Sequence, residues 1–327
     1  MNWVSAHRLS MLAAAKAHRR YAVDVSKRVD VFSIIEAQGI ILAFQPMPKL
    51  SGALVLEPAA SPGIIVNANH PLSRQRFTAA HELGHYFMGH GPSVDPERLE
   101  RGGDSRWPDE EKLAEAFAEW FLMPAMLVGQ SLAELEIPQP KSASDAYQLS
   151  LRMGTSYDAT VRHLESLRHI SRPTANVWVR TPPAKVKREI GGEFVPENAS
   201  NDVWVVRSRA SQEELMVRPG DRVIVRVDEI PTSGYMWRAG DKGSPAAMLA
   251  DEYVPTDQPL SELMVVGDRA EHVFVFGIHE SDAKTRTAIS LVRGPAWEPN
   301  VVDAAFDIVV DVQAPRLGIS ESHFVTA

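Results

Sequence analysis

Cysteine is absent from this 327-residue chain. That removes disulfides, thiolate nucleophiles and cysteine-ligated metal sites, and it suits a reducing, cytoplasmic location. Long apolar runs are missing as well. No window approaches the roughly eighteen unbroken apolar residues that a membrane span needs, so no membrane partner is expected. Nor is there an excess of positive charge: 34 Lys and Arg stand against 42 Asp and Glu, a formal net charge of -8. This argues against a general nucleic-acid or anionic-membrane binder and leaves room for local basic patches. Residues 1–20 hold Arg8, Lys16, Arg19 and Arg20 and no acid. They lack the apolar core of a secretory signal, which leaves an amphipathic helix as their reading. What is present is an ordinary globular mixture, 44% hydrophobic and 23% charged, long enough for two or three separate cores.

Val4, Leu9, Leu12, Ala13 and Ala15 recur at roughly helical spacing, so residues 3–22 read as a helix. A short helix follows and stops near Gly39, and a strand comes next. "SGALVLEP" and "GIIVNAN" are rich in β-branched residues between turn formers and read as two antiparallel strands. Residues 73–89 are helical. Residues 91–108, rich in Gly, Pro and charge, read as a loop, either long enough to be a substrate-facing lid or simply disordered. A strongly periodic helix over 109–122 ends at Met123-Pro124. Residues 143–170 read as helix, glycine turn, helix, with Ser156 as N-cap and Asp158 in the first turn. Residues 173–202 read as a linker on their prolines, glycines and weak periodicity. After it come short alternating runs ("DVWVVRSR", "DRVIVRVDE", "EHVFVFGI", "TAISLV", "AFDIVVDV") that indicate an all-β sandwich. The expected organisation is α+β: residues 1–142, a helical extension 143–172, the linker, and a β domain 203–327.

Within "RFTAAHELGHYFMGH", His81, Glu82 and His85 spell H-E-x-x-H. On a helix, residues i and i+4 share a face, so two imidazoles can converge on one point. Glu82 lies one position round, able to take a proton from a water there without becoming a ligand. This is the donor pattern of a zinc (Zn2+) hydrolase. The plain alternative is an amphipathic helix that happens to carry histidines. Against it stand Phe77, Ala79, Ala80, Gly84 and Phe87, which mark a buried helix where unpaired imidazoles and a carboxylate are costly. Without cysteine the third ligand must be His, Asp or Glu. His90, Asp104, Asp109, Glu110, Glu111, Glu115 and Glu119 are all near in sequence. Glu111 is preferred because Ala114 and Ala118 share its face and allow a close helix approach. Glu115, on the same face, is the runner-up ligand or a partner holding an imidazole. His90, at i+5 from His85, falls off the shared face.

"RQRFTAAHELGHYFMGH" followed by "EKLAEAFAEWFLMP" resembles the ImmA/IrrE family of metallo-endopeptidases over about residues 5–170. The resemblance implies a zincin-like fold, zinc ligands at His81, His85 and Glu111, and a catalytic glutamate at Glu82. It also implies cleavage of a partner protein, commonly a helix-turn-helix transcriptional repressor in a stress or mobile-element response. Glu115 stands where the family often has Asn. The helix-turn-helix-like stretch raises DNA contact as a further reading. Arg152, Arg162, Arg168, Arg172, Arg180, Lys185, Lys187 and Arg188 face only two acids, Asp158 and Glu165, between 152 and 188. The simpler reading, that these helices complete the fold or dock a partner, is preferred.

In the β domain, "EIPTSGYMWRAG" sets Pro231, Thr232, Ser233 and Gly234 in a tight loop ahead of Tyr235 and Trp237. "RGPAWEP" places Arg293, Pro295 and Trp297 in a second loop. Rigid aromatics on tight loops suit an interface, while core aromatics beside β-turns are the bland alternative. The pair resembles the chagasin family of cysteine-protease inhibitors, which are immunoglobulin-like sandwiches. Ile230 stands where that family has Asn, and "VVGDRAEH" around Gly267 is a poor copy of its glycine-rich loop. The resemblance implies a papain-like protease partner; recruitment of a substrate or sensing of a signal through the same loops is the companion reading. The expected function is a zinc endopeptidase with a β domain for recruitment, sensing or autoinhibition. The rival is a catalytically silent zincin-like regulator that binds DNA or protein.

Overall fold

The computed structural model describes residues 1–57, 60–96, 107–207, 214–240, 246–254, 269–279 and 286–319. These fall into two compact units that do not follow chain order. The first comprises Met1–Ser131, Leu149–Val179 and the stretch from Pro315; the second comprises Leu132–Gln148 and Arg180–Ala314. No helix among the described residues is long and apolar enough to cross a membrane.

The first unit opens with α1 (Trp3–Arg20), whose N-cap Asn2 accepts from the Ser5 amide. Ala6, Ser10, Ala14 and Ala17 recur at helical spacing and are buried, and Ser10 Oγ donates to Leu113 O at 2.7 Å. After α2 (Val31–Ala37), strands β1 (Ile41–Gln45), β2 (Leu50–Val55) and β3 (Gly63–Asn67) lead into α3 (Leu72–Met88). Asn67 fixes this entry. Its side chain accepts from the Met47 and Asn69 amides and donates to Met47 O and Leu50 O. β4 (Ser93–Pro96) then joins the sheet, which runs β1-β3-β2-β4. The β2–β3 pair is antiparallel as expected, whereas β1 runs parallel to β3. The expectation of a continuous loop over 91–108 needs correction, because residues 93–96 pair with β2. Four residues ending in proline are too few to show alternation, yet the free edge of β2 supplies the hydrogen bonds.

Next come α4 (Asp109–Leu122), α5 (Ala125–Glu134), α6 (Ala143–Met153), α7 (Tyr157–Ser166) and α8 (Arg172–Val179). Gly154 turns the chain between α6 and α7 at φ +66°, and Ser156 caps α7 by accepting from the Ala159 amide. Most of α7 is committed to packing. Tyr157, Thr160, Val161, His163 and Leu164 are buried, and His163 Nε2 donates to Met123 O at 2.8 Å.

In the second unit, α9 (Pro183–Gly191) precedes β5 (Val203–Arg207), β6 (Glu214–Val217), β7 (Arg222–Glu229), β8 (Tyr235–Ala239), β9 (Ala246–Tyr253), β10 (Ala270–Ile278), β11 (Arg286–Pro295) and β12 (Ala304–Val312). They form two four-stranded sheets, β5-β7-β10-β9 and β6-β12-β11-β8. Each is largely antiparallel, with β5–β7 and β6–β12 parallel. Alternation along β10 explains why both its faces are buried. Val273 and Val275 cluster with Val203 and Ile224 under Ile190 and Phe194, while Phe274 and Phe276 are buried on the opposite face. The free edge of β5 is covered: Gln148 Nε2 donates to Val203 O at 2.7 Å, and the Val205 amide donates to Gln148 Oε1 at 2.9 Å.

The reading of 173–202 as a linker is corrected by α8 and α9. Proline is tolerated in a first helical turn, where its missing N–H has no partner to lose. Pro183 opens α9 in that way, and Val186 and Ile190, four apart, supply its apolar stripe. The chain then re-enters the first unit. β13 (Gly318–Ile319) pairs antiparallel with β1 at Phe44 and Ala43. Arg316 fastens it: its amide donates to Gln75 Oε1 at 3.3 Å, its guanidinium lies 4.8 Å above the Phe32 ring, and Nη1 stands 3.5 Å from Glu36.

Candidate metal centre

α3 and α4 meet where Gly84 faces Phe117. A Cβ on Gly84 would stand 2.9 Å from Phe117 Cδ1, so glycine sets how closely the helices approach. Phe117 therefore faces α3. The apposition brings Glu111 to the histidines. His81 Nε2 and His85 Nε2 stand 3.1 Å apart, Glu111 Oε2 lies 3.3 Å from His81 Nε2, and Glu111 Oε1 lies 3.5 Å from His85 Nε2.

Asp95, on β4, was not foreseen. Its Oδ2 is 3.1 Å from His81 Nε2, and one donor atom from each of His81, His85, Asp95 and Glu111 lies within 4.8 Å of the others. Glu115 instead faces the far side of the imidazole, 3.6 Å from His81 Nδ1. His90, set aside as off the shared face, reaches His85: the two Nδ1 atoms are 2.9 Å apart. The helix stops at Gly89, φ +74°, and the His90 amide turns back to donate to His85 O at 3.0 Å. Each inward Nε2 thus belongs to a ring whose Nδ1 has its own neighbour, the arrangement that orients ligand histidines. Asp109 pairs with the Met1 amino group and Glu119 lies 3.9 Å from His7; neither joins the cluster. Glu110 is exposed, and Asp104 lies outside the described residues.

The cluster fits a divalent ion. Donors about 2.1 Å from one ion in a tetrahedral array stand roughly 3.4 Å apart, close to the separations seen here. Asp95 Oδ1 and Glu82 Oε1 are buried with no hydrogen-bond partner, an expensive condition that a cation relieves. Burial favours a neutral His81, but the carboxylates of Asp95, Glu111 and Glu115 outweigh it and hold the pKa well above the ordinary value. Burial likewise opposes ionisation of Glu111, and contacts with His81 and His85 override it, leaving the carboxyl well below its usual range.

Glu82 is fully buried. Burial, reinforced by the charge of Asp95, pushes its carboxyl up to about 8. Ser93 Oγ donates to Glu82 Oε2 at 2.6 Å. On the other side Gly52 makes room, since a Cβ there would lie 3.0 Å from Glu82 Oε1 and 2.4 Å from Thr78 Cγ2.

The two loops of the β domain also come together. Pro231–Ser233 form a short turn of 3₁₀ helix and Gly234 adopts φ +74°. The Ala296 amide donates to Gly234 O at 2.9 Å, and the Tyr235 and Trp297 rings meet edge-on at 5.9 Å. Trp297 is 64% exposed, whereas Trp237 is 8% exposed and turned against Phe306. Trp237 is thus a core residue with Arg293 above its ring, and the loops overlie a recess of about 460 Å³. Gly267 lies outside the described residues.

The two regions match two families. Residues 35–160 match the IrrE N-terminal-like domain, and residues 216–311 match the chagasin family of peptidase inhibitors (I42). The chain thus joins a region similar to the IrrE N-terminal-like domain to an all-β domain similar to the chagasin-family inhibitors. Over 159 residues it is 34% identical to the radiation response metalloprotease IrrE of Deinococcus deserti, a stretch covering 43% of this chain and 55% of that protein. The chain therefore spans little more than half the length of that relative. Among solved structures, the cysteine protease inhibitor EhICP2 of Entamoeba histolytica aligns at 14% identity over 35% of this chain and 99% of that one, with a TM-score of 0.29. Amebosin aligns at 19% identity over 35% and 98%, with a TM-score of 0.28.

Proposed function

We propose that the first unit is a zinc-dependent endopeptidase that cleaves a specific regulatory protein, with His81, His85 and Glu111 as metal ligands and Glu82 as the general base. The carrying observation is the convergence of both inward imidazole nitrogens and the Glu111 carboxylate beside a buried, half-satisfied Glu82. A bound zinc ion supplies Lewis acidity to the attacking water and the scissile carbonyl. Glu82 takes the water's proton and later delivers it to the leaving amine, a role suited to a carboxyl held near neutrality. Glu115 and His90 orient the two imidazoles. The likeness to a radiation response metalloprotease supports a regulatory substrate, such as a helix-turn-helix repressor. The chagasin-like domain then recruits the substrate or senses the trigger through the loops at 231–237 and 293–297.

Glu82→Gln is the deciding variant. It should keep near-stoichiometric zinc and abolish cleavage, while His81→Ala should lose the zinc. A protein that holds no metal yet keeps full regulatory activity would instead be the silent binding module.

A further inference from the structure

We propose that Asp95 is a fourth, displaceable ligand of this centre, and that β4, which carries it, holds the site shut at rest. The inference rests on reading the cluster as a metal site. The side of the imidazole that Asp95 faces is the first ground. Its Oδ2 approaches His81 Nε2, the nitrogen that also faces His85 and Glu111, whereas the carboxylate that merely orients this ring, Glu115, stands at Nδ1. Asp95 therefore lies among the donors and not behind them. Its other oxygen is buried without a hydrogen-bond partner, in a residue only 8% exposed. A carboxylate in that condition is costly unless a cation answers it.

Ser93 supplies the second ground. Two residues before Asp95 on a strand, it projects to the same side, and its hydroxyl engages the oxygen of Glu82 at 2.6 Å. A single four-residue strand thus occupies a donor position and the base together. The third ground is access. With β4 in place Glu82 is 0% and His85 1% exposed. A catalytic zinc site keeps a position open, while four protein donors make a closed one.

β4 is suited to leaving. Among the described residues it pairs with β2 alone, across a register shift at Leu50 and Gly52. Val94, on its other face, is 63% exposed. Withdrawal of this strand removes Asp95 and Ser93 in one movement. It frees a donor position and releases Glu82 at the same moment, so that ligand exchange and activation of the base are coupled.

The full chain loaded with cobalt tests this, with acetohydroxamate as a small competing ligand and chelator competition to read zinc affinity. Asp95→Asn should weaken zinc retention by about tenfold or more, alter the visible cobalt spectrum, and let acetohydroxamate perturb it at far lower concentration than in the unmodified protein. Ser93→Ala should leave the cobalt spectrum unchanged. An Asp95→Asn protein with the original zinc affinity and cobalt spectrum overturns the proposal while leaving the metal site standing. A wild-type chain that takes up neither ion defeats the metal reading itself. If Asp95→Asn does not fold, the wild-type titration decides. A spectrum that saturates with stoichiometric acetohydroxamate shows an open position and overturns the proposal; one unmoved by a large excess supports it.

Discussion

Replacing Gly52 by alanine should wedge α3 away from the sheet that supports it. The new Cβ would fall 2.4 Å from Thr78 Cγ2, 3.0 Å from Glu82 Oε1 and 3.1 Å from the backbone oxygen of Ile65. None of these can give easily: Thr78 and Glu82 are buried on α3 and Ile65 is a strand carbonyl. Overpacking of this kind costs about 1–3 kcal/mol. At roughly 2 kcal/mol, the melting transition of the first unit should fall by about 4–8 °C. Thr78→Ser removes the methyl group in the tightest contact and, alone, should cost about 1 kcal/mol. Because the added and deleted carbons share one space, the double variant should be less damaged than the sum, with a coupling of about 1 kcal/mol or more. Zinc uptake should persist, since His81, His85 and Glu111 are untouched, while cleavage falls with the displaced Glu82. Thermal melts of the four proteins and a zinc assay check this. A neutral Gly52→Ala, or strict additivity with Thr78→Ser, would refute the steric account.

Burial holds His163 neutral, with its pKa depressed to about 4 from an ordinary 6.5. Between those values the unfolded chain binds the proton and the folded one does not. Stability is therefore full above about pH 6.5 and declines toward pH 4, by up to roughly 3 kcal/mol from this group. Melts from pH 7.5 to 4.5 should show a shallower loss in His163→Gln than in the wild type. Lys187, buried in the second unit, donates to Ala199 O and Asn201 O and stands 3.0 Å from Asp202. Lys187→Met should cost about 2–4 kcal/mol by stranding those acceptors, read as a lowered second-unit transition. Trp297→Ala, at an exposed loop tip, should change stability by less than about 0.5 kcal/mol. If the loops dock a protein, the same variant should sharply weaken its capture, with papain as the first probe.

α3 and α4 were legible because long amphipathic helices write their periodicity over many residues. Spacing pointed to His81, Glu82 and His85 on one helix and to Glu111, with Glu115 as its rival, on the next helix; the structure brings Glu111 to both inward imidazole nitrogens. The sandwich strands were legible for the same reason, through alternation. What escaped was local geometry with no period. β4 is four residues long, so nothing marked Asp95 as a neighbour of His81. His90 was excluded by counting it as helical, although Gly89 before it is the signal that the chain turns back. Pro182 and Pro183 looked like linker because proline breaks helices in their middle but not at their first turn. A two-residue strand such as β13 leaves no trace in sequence.

That short strand also sets an order of events during synthesis. Most of the first unit precedes the sandwich in the chain, yet its sheet gains Gly318 and Ile319 only after the sandwich strands have been translated. Until then the β1 edge presents unpaired N–H and C=O groups to anything nearby, a hazard for any strand edge. A chain cut after residue 314 would retain every described sandwich strand and still lose this seal, so its failure would be felt in the sheet of the first unit. Shielding of the nascent β1 edge is thus a task for folding in the cell, and aggregation of such a truncated chain would begin there.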